Sequence, residues 1–121
     1  MPILGAILTP HPPVLLPEVG RGREREISAT WDAMCEAAEE VARWAPEALV
    51  VASPHTVMYS DYFHIAPGRG AGGDMSAFGA PQLQVETEYD AQRREEMSRL
   101  AREWRLEAGM LGQRGEELDH G

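Results

Sequence analysis

The chain has 121 residues, 43% hydrophobic and 26% charged; this ordinary globular composition excludes wholesale disorder and argues for one domain over two. Eleven basic residues against twenty acidic ones leave a net charge of −9, which removes any general pull toward nucleic acid or an anionic membrane. The one cysteine, Cys35, excludes an intramolecular disulfide.

The Met1-Pro2-Ile3-Leu4-Gly5 start lacks a charged signal-peptide region, and its apolar stretch falls far short of the roughly 18 residues of a membrane span. A cytoplasmic protein is expected. Ile3 to Leu8 is a nearly continuous apolar run, which predicts a strand covered on both faces, as in a parallel sheet. It ends in Thr9-Pro10-His11-Pro12-Pro13, where each proline lacks the backbone donor a central strand needs. Val14-Leu15-Leu16-Pro17 then reads as an extended apolar loop.

The spacing predicts a helix from Glu24 to Ala45. Ile27, Trp31, Met34, Ala38, Val41 and Ala45 recur at intervals of three and four, and Pro46 stops the pattern. Cys35 falls within it and reads as a small buried side chain. Ala48-Leu49-Val50-Val51-Ala52 predicts a second buried strand, ending in Ser53-Pro54-His55-Thr56. Strand, helix, strand in this order makes the two strands parallel.

Asp61 to Ala66 reads as a further strand, Pro67 to Gly73 as a flexible glycine-rich loop and Met75 to Pro81 as irregular. The glycines have no P-loop lysine and no helix directly after them, so they do not read as a phosphate cradle. Gln82 to Glu86 alternates polar and apolar, a half-exposed strand. Thr87 then resembles an N-cap, with Asp90 in a capping-box-like relation. The helix that follows puts Met97, Leu100, Ala101, Trp104 and Ala108 on one face, with Gly109 or Gly112 as its end. The expected fold is α/β, a mostly parallel sheet with flanking helices and no internal boundary across 1–121.

His11 and His55 each follow the carboxyl end of a predicted parallel strand. In such sheets ligands bind outside those ends, so the two histidines can approach each other. Each alone reads as an ordinary loop histidine. At equivalent positions in stiff, proline-flanked turns they favour a shared metal site. His64 reads as a satisfied structural histidine, and Glu116, Glu117 and Asp119 around His120 as a solvated acidic run.

Leu4-Gly5-Ala6-Ile7-Leu8-Thr9-Pro10-His11-Pro12-Pro13, Ser53-Pro54-His55 and Leu118-Asp119-His120-Gly121 occur in this order. Together they resemble the class III extradiol ring-cleavage dioxygenase family, the LigB-like catalytic subunit, whose fold the Memo-like proteins share. The first segment is most similar to LigB-like domains of the AmmeMemoRadiSam group. The resemblance implies non-haem Fe(II) held by two histidines and a glutamate, with His11 and His55 as the two histidines. Zinc, manganese or copper would also suit two imidazoles. It implies His120 as a catalytic histidine lining the site, and a small aromatic diol and O₂ as reactants. In that family the glutamate and the principal acid-base histidine lie further downstream. The chain is therefore expected to be the N-terminal half of a longer domain, inactive by itself. Open strand edges would favour self-association into a homo-oligomer. The other reading is a Memo-like metal-binding or regulatory domain without ring cleavage.

Overall fold

Prolines open the first two helical pieces of the chain. In the computed structural model, which describes residues 2–55 and 58–111, Pro13 begins a 3₁₀ turn, Pro13–Leu15, and Pro17 begins the short helix α1, Pro17–Gly20. Proline suits both places because a first-turn N–H has no partner inside the helix. The apolar segment predicted as an extended loop is thus largely helical, and Leu15 is buried. A second 3₁₀ stretch, Arg23–Ile27, leads into helix α2, Ser28–Trp44. This is the helix predicted from the apolar stripe, with its first turn tightened. It stops at Ala45, which takes a left-handed conformation at φ 45°, and Pro46 cannot continue it. The indole of Trp44 donates to Glu40 at 2.8 Å. Its ring lies so close to Gly5 that a Cβ there would sit 2.2 Å away, so a larger residue would have to displace the indole.

Segments 3–8 and 48–52, predicted as buried parallel strands, are not paired in any ladder. Leu8 is fully exposed, and Val50 and Val51 are 77% exposed. A continuous apolar run calls for cover on both faces, and the described residues do not supply it. The parallel pairing lies elsewhere. Strand β1, Phe63–His64, pairs with a strand later in the chain, Ala108–Gly109, in the register Phe63↔Ala108 and His64↔Gly109. Between them in sequence, β2, Gly70–Met75, pairs antiparallel with β3, Ala80–Glu88; Ala108–Gly109 is therefore β4. Both β2 and the start of β3 fall in stretches predicted as loop or irregular. Glycine has low strand propensity, but at Gly70 it is required: a Cβ would lie 2.2 Å from the Thr87 carbonyl oxygen. The class is mixed α/β, with helices, a small parallel sheet and an antiparallel ribbon.

Helix α3, Ala91–Glu103, is capped by Asp90 and not by Thr87. Asp90 Oδ1 accepts from the Arg93 N–H at 3.0 Å, whereas Thr87 stays in β3 and donates to the Ala71 carbonyl at 3.3 Å. The helix ends before Gly109. Arg105 turns left-handed at φ 55°, and the Leu106 N–H reaches the Ala101 carbonyl at 2.8 Å. Arg94 ties α3 to the base of the ribbon by donating to the Gly68 carbonyl. The described residues bury four apolar side chains, Leu15, Ala71, Ala80 and Ala101, and one polar one, Ser98.

The Arg93 backbone N–H, then its guanidinium, hold the Asp90 carboxyl below the ordinary aspartate range. A lowered folded value means the cap contributes fully above the unfolded value of about 3.9. It is lost as pH falls through the lower folded one. Circular dichroism at 222 nm should therefore show helix loss at strongly acid pH. Asp90→Asn, which keeps the acceptor without the charge, should reduce the part of that loss owed to α3.

Candidate metal centre

His11 stands between Pro10 and Pro12. The proline after it restricts its backbone to extended conformations. The turn beyond is fixed by Leu15 N–H to Pro12 and Leu16 N–H to Pro13 carbonyls, at 3.0 and 3.1 Å. His55 follows Pro54, and its own N–H donates to the Ser53 hydroxyl at 3.3 Å. Both histidines are thus held by short-range geometry and not by burial.

The two rings meet edge to face. Their centroids are 4.5 Å apart, the planes cross at 83°, and the two Nε2 atoms contact each other. The residues are 44 positions apart in sequence, so the fold brings them together. A neutral imidazole carries its proton on one nitrogen only. With Nδ1 protonated on both rings, two Nε2 lone pairs converge on one point. That donor set suits iron, zinc, copper or nickel. The pair fits a divalent transition metal as two of its ligands. Among the described residues, no group of three or more His, Cys, Asp or Glu side chains gathers to complete a site.

The remaining candidates divide. His64 sits in β1 with its ring 5.9 Å from that of Tyr59. The sequence reading made it a satisfied histidine, yet its Nδ1 is buried without a hydrogen-bond partner. His120, with Glu116, Glu117 and Asp119, lies outside the described residues.

One feature of the site escaped the sequence. An apolar recess of about 390 Å³ opens beside His11, between the proline turn and α2. Trp31, Met34 and Ala38 form its helical wall, with Cys35, which is half-buried rather than enclosed. The stripe that signalled the helix was the available sign, but it reads identically whether it faces a core or a cavity.

The model of the catalytic LigB subunit of aromatic ring-opening dioxygenase matches residues 5–121. Protein CA_C1420 of Clostridium acetobutylicum is 33% identical over 101 residues. That match takes in 84% of this chain and 22% of the relative, so the chain spans well under half of that protein's length. No solved structure matches the chain. The matched stretch takes in both converging histidines and the Asp119-His120-Gly121 segment, and on this match the chain belongs to the family of the catalytic LigB subunit of aromatic ring-opening dioxygenases.

Proposed function

We propose that the chain contributes two metal ligands, His11 and His55, to a non-haem iron extradiol dioxygenase acting on catechol-like rings. The observation that carries this reading is the convergence of the two Nε2 atoms from turns 44 residues apart. In the reaction the ring carbon–carbon bond beside the hydroxyl pair breaks and both atoms of O₂ enter the product. When bound, ferrous iron supplies Lewis acidity toward a catechol hydroxyl and a common centre for ring and O₂.

The chain's own residues do two things in this reading. His11 and His55 present neutral imidazoles, held by Pro10, Pro12 and Pro54, so that little ordering accompanies metal binding. His120, assigned through its family segment, holds or moves a proton at a ring nitrogen near the substrate. The third ligand, a carboxylate, comes from outside the described residues. Among those residues no helix is long and apolar enough to cross a membrane. The exposed apolar segments 3–8 and 48–52 are the surfaces on which it would self-associate.

The test is anaerobic titration with ferrous iron, then oxygen uptake with a panel of catechols, using the chain within its longer domain. Stoichiometric uptake with a ring-opened chromophore is the expected result. Iron binding with no uptake from any catechol would replace this reading with a metal-binding or regulatory domain.

A further inference from the structure

The recess beside His11 is bounded almost wholly by carbon and sulfur. Pro12, Pro13 and Leu16 line one side, and Trp31, Met34 and Ala38 line the other. Their spacing puts the last three on one face of α2. Thr9, His11, Cys35 and the Trp31 indole N–H bring the side-chain polar groups of the lining, and among the described residues no Arg, Lys, Asp or Glu lines it. Its volume of about 390 Å³ falls within the range of small-molecule pockets, roughly 300–1,000 Å³. The proline turn that forms one wall is rigid before anything binds. His11 belongs to both places: its ring meets His55, and the residue also lines the recess. A ring held at the metal centre would therefore have the recess beside it.

We propose that this recess receives an uncharged apolar substituent, alkyl or aryl, of the aromatic diol, and selects against diols that carry a carboxylate there. The inference rests on the dioxygenase reading and narrows its substrate class. Trp31 offers a flat aromatic face and Met34 an adaptable thioether, both suited to hydrocarbon. A carboxylate in the same place would lose its water and gain no cationic partner among the described residues. The net charge of −9 opposes the approach of an anionic acid as well.

Two measurements test this, the first of them separately from the chemistry. In the first, metal-free protein is titrated with propylbenzene and with benzoate, neither of which chelates, and tryptophan fluorescence is followed. Propylbenzene should change the emission and benzoate should not, and the change should vanish in Trp31→Phe, which leaves Trp44 and Trp104 in place. No Trp31-dependent signal with propylbenzene, or an equal one with benzoate, would overturn the proposal. In the second, kcat/KM of the iron-loaded protein is compared for catechol, alkylcatechols of increasing chain length and 3,4-dihydroxybenzoate. The value should rise about fourfold per buried methylene, and 3,4-dihydroxybenzoate should be the poorest substrate. Ala38→Trp, which fills the rim at an exposed helix position, should bring the alkylcatechol-to-catechol ratio down toward one. Turnover that favours 3,4-dihydroxybenzoate overturns the recess assignment and leaves the dioxygenase reading standing. No turnover with any catechol, despite a Trp31-dependent signal, overturns the dioxygenase reading and the substrate assignment built on it.

Discussion

Replacing either His11 or His55 with alanine is expected to weaken ferrous-iron binding by more than about 100-fold. Losing a group that merely orients a ligand already costs 10–100-fold, and here the ligand itself goes. The two Nε2 atoms contact each other, and in the proposed reading they serve one centre, so the double variant should be little worse than either single one. Both side chains sit in turns, outside every helix and strand, so circular dichroism should remain that of the parent protein. His64→Ala is the contrasting variant. Its ring packs near Tyr59 in β1, and its removal should leave iron affinity intact. Anaerobic calorimetry on the three single variants decides the matter. Affinity that survives loss of either His11 or His55 would remove the metal centre from this part of the chain.

That pair was legible because each histidine follows an apolar run and is locked by prolines, a local pattern that survives whatever the runs do. The runs themselves are unpaired among the described residues. Ile3 to Leu8 and Ala48 to Ala52 have strand composition, but a ladder requires a neighbour, and composition does not name one. The reverse holds at Gly70–Met75. Its glycines suppress any strand signal, yet the register Gly70↔Glu88 makes it the partner of β3. That pairing also explains the misplaced helix start. Thr87 and Asp90 are both good capping residues, and Thr87 is unavailable because the ribbon holds it opposite Ala71. Helix α2 was legible because a stripe at intervals of three and four is specific to one periodicity. What that stripe faced was not, and so the recess came only with the fold.

Gly109→Ala is expected to destabilise the protein by about 1–3 kcal/mol through backbone strain at positive φ, with a further cost from a contact that only glycine permits. Gly109 has φ 155° and is buried. A Cβ there would stand 2.6 Å from the Tyr62 hydroxyl oxygen. That hydroxyl accepts the Leu111 N–H at 3.2 Å, and the Gly109 carbonyl accepts the Ile65 N–H at 2.7 Å. Alanine would push Tyr62 aside and loosen the one parallel pairing among the described residues. Tyr62→Phe alone loses a single hydrogen bond, about 0.5–1.5 kcal/mol. It also removes the oxygen that the new methyl would strike, leaving the ring carbon at an ordinary 3.7 Å. The double variant should therefore be more stable than the sum of the two single losses, a coupling that urea denaturation of all four proteins would measure. Strict additivity would mean that Tyr62 and Gly109 do not meet. The strand they secure leads in sequence to Asp119-His120-Gly121, while His11 and His55 are held by prolines of their own. Gly109→Ala should thus lower stability and leave the iron affinity of the folded protein unchanged.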